Sequence, residues 1–323
     1  MDGPNFSDIQ KAAARLENLV VRTPLIEIKL SNKGFKRVFL KLENFQKTGS
    51  FKFRGAYNKI IQLNDKELRG GVTAYSSGNH AQAVACVAQM LGIKAVIVMP
   101  EDAPTKKMDA TLGFGAEIVT YNRWRESREA IAGDIALTRG MTLVPPFDDP
   151  SIIAGQGTVG FEICEDLKSL DLTPDLVVVP ASGGGLVSGV ALGVKNFFPD
   201  TQVFSVEPEH FDDIARSLSL GERITNRPEG RNSICDALLV PTPGDITLPM
   251  MQKLLSGGLS VSEESVRRAM QFAWLDQEIM LEPGGAVGLA ALSEGLAPES
   301  EIAVVVCSGG NVDETTFHSL IEN

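Results

Sequence analysis

Four short segments of this 323-residue chain carry residue types and spacings that could do chemistry. In TGSFKFRG, residues 48–55, Lys52 stands one turn into an expected helix, just past a Gly-Ser turn with Ser50 as the expected cap. A helix N-terminus supplies unpaired N–H groups and a positive field. That field lowers the pKa of a nearby amine, and the neutral amine is the form that makes an imine. The alternative is a solvated lysine at a helix start. In ASGGGLVSG, residues 181–189, consecutive glycines after an apolar strand let backbone N–H groups converge on an anion at the start of a helix. No G-K-[ST] follows, the G-x-G-x-x-G form is not met, and no acidic ribose ligand is evident. The bare phosphate of a compact cofactor therefore fits better than a dinucleotide; the alternative is a glycine-rich turn without a ligand. In SSGNHAQ, residues 76–82, two hydroxyls, an amide and backbone N–H groups gather at another helix start, which suits a carboxylate. His80, taken alone, reads as a packed residue. In VVVCSGGN, residues 304–311, Ser308 lies at the carboxyl end of a buried strand, where ligands of parallel sheets bind.

The elements that must position these segments alternate. RVFLKLE, GVTAYS, KAVIVMP, AEIVTYN, MTLVPPF, LVVVP, TQVFSVEP and EIAVVVCSGGN read as strands, and segments such as HAQAVACVAQMLG and GGGLVSGVALGVKNF between them read as helices. Such alternation predicts an α/β fold with parallel sheets covered by helices. SDIQKAAARLENLV reads as a first helix with Ser7 as its cap, and GTVGFEICEDLKSL as a helix following a break at DDPSIIAG. The Pro- and Asp-rich PPFDDP near residue 150 marks the expected lobe boundary. Residues 50–150 form a small mobile lobe, residues 1–49 with 151–323 form a larger one, and a ligand is expected between them.

Composition bounds the function. Hydrophobic residues make up 43% and charged residues 22%, ordinary for a globular protein with a sizeable core. The net charge of −11 argues against nucleic-acid and anionic-membrane partners. Cys86, Cys164, Cys235 and Cys307 are far apart and suggest neither a zinc site nor a disulfide framework. The first 30 residues hold no long apolar stretch after a basic start, so no signal peptide and a cytoplasmic location are expected.

Together and in this order, K-T-G-S-F-K-F-R-G, S-S-G-N-H, S-G-G-G-L and S-G-G-N closely resemble the serine/threonine dehydratases and serine racemases. These are pyridoxal 5'-phosphate (PLP) enzymes of fold type II, two-lobed and built on parallel sheets. The resemblance covers nearly all of the chain. It implies that Lys52 carries PLP as a Schiff base, that Phe51 packs beside the pyridine ring and that Asn79 partners the ring hydroxyl. Ser182, Gly183, Gly184, Gly185 and Leu186 correspond to the phosphate cup, and Ser308 to the partner of the pyridine nitrogen. Ser76, Ser77, Gly78, Asn79 and His80 correspond to the loop that binds the substrate carboxylate. A serine at the pyridine nitrogen makes a weaker electron sink than an aspartate, which favours β-elimination over transamination. Phe53, where threonine and cysteine synthases usually have aspartate, and His80, where cysteine synthases have threonine, point to the dehydratase branch. The implied reaction converts a small β-hydroxy amino acid (threonine, serine or 3-hydroxyaspartate) to a 2-oxo acid and ammonia. Ser77 matches the racemases' second base, so a racemase is the second reading, and a non-catalytic binding protein that kept the fold is the third.

The stretch SVEPEHFDD, residues 205–213, resembles the divalent-metal site of serine racemases and some dehydratases. Glu207, Asp213 and the Phe211 carbonyl would be its protein ligands, and oxygen-only ligation suits Mg²⁺ or Ca²⁺. Alternatively, Asp212 and Asp213 serve a helix N-terminus. The string E-S-R-E around Arg128 resembles the racemase stretch whose arginine approaches the far carboxylate of dicarboxylic ligands. Alternatively, Arg125, Glu126, Arg128 and Glu129 form a solvated charged face. The expected assembly is a homodimer acting on a small amino acid.

Overall fold

The computed structural model describes residues 2–30, 34–226 and 232–322. Its strands are β1 (Leu25–Ile28), β2 (Phe35–Leu42), β3 (Val72–Tyr75), β4 (Ala95–Pro100), β5 (Glu117–Tyr121), β6 (Thr142–Leu143), β7 (Leu176–Pro180), β8 (Gln202–Pro208), β9 (Gly257–Val261) and β10 (Ser300–Cys307). They form two sheets. One has the order β1-β2-β10-β7-β8-β9, and the other β5-β4-β3-β6. Every pairing is parallel except β1 with β2. Parallel pairs need long crossovers, and the intervening helices supply them. Helices on both faces explain why Val177, Val178, Val179, Val304, Val305 and Val306 are all fully buried.

Several local expectations are corrected. The first helix, Phe6–Leu16, is capped by Asn5 and not Ser7, because Asn5 and Asp8 exchange the reciprocal bonds of a capping box. Ser50 caps nothing. It is extended, bridges Gly309 across the chain, and its buried Oγ finds no partner among the described residues. Lys52 is consequently the first residue of its helix, Lys52–Ile60, rather than one turn in. The break expected at DDPSIIAG is the start of a 20-residue helix, Pro150–Ser169. Asp149 Oδ1 accepts from the N–H groups of Ser151 and Ile152, and Pro150 fills the first helical position, where its missing N–H costs nothing.

That long helix sits at the centre of the molecule, between the helices Lys52–Ile60 and Gly185–Phe197. Close approach is possible because glycine meets glycine. A Cβ on Gly155 would lie 2.7 Å from the Gly55 Cα, and one on Gly189 would lie 2.6 Å from the Gly157 nitrogen. The helix bearing Lys52 is thus seated backbone to backbone. Among the described residues, no helix is long and apolar enough to cross a membrane.

Candidate active site

The ends of β3, β4, β5, β7 and β10 all open into one cleft, and each contributes residues to its wall. This is the carboxyl edge of the parallel strands, where the chain leaves each strand and its backbone groups are not used by the ladder. The cleft's empty volume is about 1100 Å³, its mouth included. Phe51, Lys52, Ser76 to His80, Arg128, Ser182 to Leu186 and Ser308 all line it. Segments up to 257 residues apart in sequence therefore converge, from Phe51 to Ser308.

Backbone bonds stitch the first and last of these segments together. Phe51 N–H donates to the Ser308 carbonyl at 3.2 Å, and Gly310 N–H donates to the Gly49 carbonyl at 2.9 Å. Lys52 Nζ donates to the Pro146 carbonyl at 2.6 Å and lies 5.2 Å from the centre of the Phe51 ring. Burial pulls the Lys52 amine from its ordinary 10.5 down to about 7, and the nearby positive charge of Arg128 adds to the fall. Desolvation therefore does what the helix field alone was expected to do.

Gly184 holds a left-handed backbone, φ +92°, where a side chain would be strained, and turns the chain into the helix Gly185–Phe197. Gly183 and Gly185 lie against Phe147, so closely that a Cβ on Gly183 would come within 2.4 Å of its ring. Thr247 Oγ1 donates to the Gly183 carbonyl at 2.6 Å, and Val240 N–H donates to Ser182 Oγ at 3.2 Å. The turn is held from behind and presents a helix N-terminus to the cleft, a cradle suited to a phosphate.

In the 76–80 loop, Ser76 Oγ accepts from Gly78 N–H at 3.2 Å, and Ser77 is half-buried on the cleft wall. His80 is buried, and burial followed by the Lys52 charge pulls its pKa to about 3. Its imidazole is therefore neutral, and Nε2 lies 2.9 Å from the Val144 carbonyl. This fastens the helix Asn79–Leu91 to the segment that carries Pro146 and Phe147. Arg128 lies with its guanidinium 5.4 Å from the centre of the Tyr75 ring, and its Nε donates to Glu129 at 2.8 Å. Its side chain is 22% exposed and lines the cleft, while that of Glu129 is 54% exposed.

Comparison with known proteins places the chain in a family. The family model described as pyridoxal-phosphate dependent enzyme matches residues 16–309. The chain belongs to that family. It is similar to the L-threonine ammonia-lyase of Thermotoga maritima, 41% identical over 98% of this chain and 78% of the relative. It is likewise similar to the L-threo-3-hydroxyaspartate ammonia-lyase of Saccharomyces cerevisiae, 38% identical over 98% of this chain and 96% of the relative. Among solved structures, maize serine racemase superposes with a TM-score of 0.90 at 36% identity, covering 99% of this chain and 97% of that one. The architecture is that of the two-lobed, parallel-sheet PLP enzymes of fold type II.

The expected metal ligands lie away from the cleft wall. Glu207 ends β8, and Asp213 begins the helix Asp213–Leu220. The Glu207 oxygens accept from the N–H groups of Ile214 and Ala215 at 3.1 and 2.8 Å, so Glu207 caps that helix from outside, while Asp212 makes no side-chain cap. Asn226 donates to Asp213 Oδ1, and buried Oδ2 has no partner among the described residues. No group of three or more His, Cys, Asp or Glu side chains among the described residues could hold a metal. The set here is two carboxylates and the carbonyl of buried Phe211.

Sequence reasoning missed part of the wall: Tyr75, Lys107, Tyr121, Arg123, Phe147, Asp236 and Glu282. Glu282 stands before Pro283 at a helix start, a legible position for a cap, yet it makes no cap bond and faces the cleft instead. Lys107, from the helix Thr105–Gly113, gave no signal at all.

Proposed function

We propose that this protein is a PLP-dependent ammonia-lyase that eliminates water from a small β-hydroxy amino acid and releases an enamine, whose hydrolysis takes water back up and gives a 2-oxo acid and ammonia. The observation that carries the reading is the convergence of Lys52, the Ser182–Leu186 turn, Asn79 and Ser308 on one cleft. PLP, when joined to Lys52, supplies the electron sink for charge developing at the substrate Cα. The chain's own residues do the rest. The Ser182–Leu186 turn would hold the phosphate, Phe51 would flank the ring, Asn79 would donate to the ring oxygen and the Ser308 hydroxyl would meet the ring nitrogen. Lys52 would hold PLP through its amine and, as a free amine, would serve as the base for the Cα proton, which its lowered pKa suits. Ser76 to His80 bind the α-carboxylate. Production of 2-oxo acid from serine, threonine and both diastereomers of 3-hydroxyaspartate tests the reading; no product from any of them sinks it.

Loading should be pH-dependent. Only the neutral amine adds to the PLP aldehyde, so the rate at which the visible band grows in cofactor-free protein should rise through about pH 7 and level off above it. Stopped-flow absorbance between pH 6 and pH 8.5 measures this, and a flat profile would contradict the assignment.

Substrate choice turns on Arg128. Its position on the cleft wall and its stacking on Tyr75 support pairing with a second carboxylate, and so 3-hydroxyaspartate as substrate. Arg128→Ala should lower kcat/KM on hydroxyaspartate by on the order of a hundredfold, the loss of a charge-assisted pair worth about 3 kcal/mol. Serine turnover should change little. Parallel losses on both substrates would remove Arg128 from the site.

A divalent cation, Mg²⁺ or Ca²⁺, is proposed at Glu207, Asp213 and the Phe211 carbonyl. The unpartnered Asp213 Oδ2 supports it, as do two buried carboxyls whose pKa values are raised by burial first, with repulsion between them raising Glu207 further. A cation would relieve both costs. Mg²⁺ at a hundred times its Kd should stabilise EDTA-treated protein by about 2.7 kcal/mol, and Glu207→Ala should abolish that response. Thermal melts with and without the ion measure it; identical melts would dismiss the site.

The serine racemase among the similar structures supports a second reading of Ser77, as the proton donor on the face opposite Lys52. Chiral analysis of unreacted serine tests it. The lobe division is also proposed: residues 50–150 as the small mobile lobe, and 1–49 with 151–323 as the larger one. The four-stranded sheet falling wholly within residues 72–143 supports it. Residues 1, 31–33, 227–231 and 323 lie outside the described residues. A homodimer in the cytoplasm belongs to the same reading, and sedimentation velocity tests its stoichiometry.

A further inference from the structure

An asparagine amide has a donor end and an acceptor end of nearly equal size, so shape alone does not decide which faces a ligand. At Asn79, polarity decides, and two independent anchors agree. On one side Nδ2 donates to Glu282 Oε1 at 2.5 Å. A carboxylate only accepts, so the nitrogen must face it. On the other side Asn311 Nδ2 donates to Asn79 Oδ1 at 2.9 Å and to the Thr48 carbonyl at 2.7 Å. The Thr48 carbonyl also only accepts, so the Asn311 nitrogen is held toward it, and both of its hydrogens are used. The sequence of polarities from Thr48 through Asn311 and Asn79 to Glu282 admits one arrangement.

Glu282 is itself braced. It is 2% exposed, and burial would favour its neutral form. Lys107 Nζ, buried in the same wall, lies 3.4 Å from Glu282 Oε2 and 2.7 Å from Asp236 Oδ2. This ammonium offsets the cost of a carboxylate beside Asn79. Gly309 leaves the space, since a Cβ there would meet Glu282 Oε1 at 2.3 Å.

We infer that Glu282 and Asn311 are positioning residues that lock the Asn79 amide with its donor end available to the PLP ring oxygen. The inference rests on the PLP site proposed above and goes beyond it. Nδ2 carries a second hydrogen not committed to Glu282, on a side chain that lines the cleft. In this orientation Asn79 favours a negatively charged ring oxygen. In the flipped orientation Oδ1 would oppose it, acceptor to acceptor.

The test uses holoenzyme and PLP reconstitution with three variants. Glu282→Leu removes the acceptor, and Asn311→Asp places an acceptor against Asn79 Oδ1. Each should raise the Kd for PLP by about tenfold or more and shift the maximum of the visible absorbance band, as expected for losing a charge-assisted bond to the ring. Glu282→Gln offers one oxygen to two donors, Asn79 Nδ2 and Lys107 Nζ, so its Kd and band position should fall between those of wild type and Glu282→Leu. Far-UV circular dichroism reports whether each variant is folded; if Glu282→Leu does not fold, Asn311→Asp decides alone. Folded Asn311→Asp protein with wild-type Kd and band position overturns the inference, as does Glu282→Gln behaving like Glu282→Leu. Wild-type protein with no borohydride-trappable band at Lys52 would instead overturn the PLP site itself, so the two failures are distinguishable.

Discussion

Lys52→Ala protein should show no visible cofactor band and should lose at least about a thousandfold in kcat/KM on every accepted substrate. Two roles are lost at once. The amine proposed to hold the cofactor is gone, and so is the base proposed for the substrate Cα. No neighbour can take over. Lys107, the other cleft lysine, is tied to Asp236 and Glu282, and their negative charges contribute to raising its pKa, whereas burial lowers that of Lys52 to about 7. The two lysines of one cleft are thus driven in opposite directions, one toward a free amine and one toward a fixed cation. Absorbance spectra of dialysed protein and a 2-oxo acid assay measure the result. Residual turnover within about tenfold of wild type would remove Lys52 from the chemistry.

The second large effect is on stability. Arg54, two residues beyond Lys52, is completely buried. Its Nε and Nη2 donate to the two oxygens of Glu43 at 2.8 Å each, and its Nη1 and Nη2 donate to Glu162 at 2.7 and 2.9 Å. Lys41, also fully buried, donates to Glu162 at 2.7 Å and to the Thr23 carbonyl. Burial pushes the Glu162 carboxyl up, yet Arg54 and Lys41 outweigh it and hold the group below its ordinary value. Arg54→Ala leaves Glu43 buried without its cation, so the protein should lose about 3–5 kcal/mol. Arg54→Lys should rescue little, because an ammonium cannot meet two carboxylates in the guanidinium's planar, bidentate way. Replacing Arg54, Glu43 and Glu162 together with apolar residues of similar volume should recover much of the loss. Denaturant midpoints at constant slope measure all three; a loss below about 1 kcal/mol for Arg54→Ala would show that the cluster contributes little. The cluster joins the helix of Lys52 to the long helix Pro150–Ser169, so the losing variant should also bind PLP more weakly.

The parallel α/β architecture was legible because it depends on local pattern. Short runs rich in apolar and β-branched residues predict strands, as at β3, β4, β5, β7, β8 and β10, and glycine-containing turns after β3, β7 and β10 mark where the chain leaves the sheet beside the cleft. The two strands that escaped notice lack it. β1 is a four-residue edge strand that leaves Glu27 exposed, and β9 begins with two glycines, so its strand state comes from pairing with β8 rather than from its own residues. Caps were misplaced where two polar candidates compete, as at Asn5 and Ser7, since geometry alone decides which side chain reaches the orphan N–H groups.

The chemistry-bearing segments are written in the chain: an amine beside a glycine turn, a run of glycines before a helix, an amide and hydroxyls at a helix start, and a serine at a strand end. Each is a short-range arrangement, set by glycine's backbone freedom and by the helix terminus that follows. The polar partners of these groups, by contrast, come together through folding alone. Asn79 and Glu282 stand 203 residues apart, Lys107 and Glu282 175, and Arg54 and Glu162 108. No periodicity records such pairs, because a buried charge chooses its partner by distance and dielectric once the chain has folded. The same reason applies to Lys52, whose type and position are written in the chain but whose pKa is set by the walls that close around it.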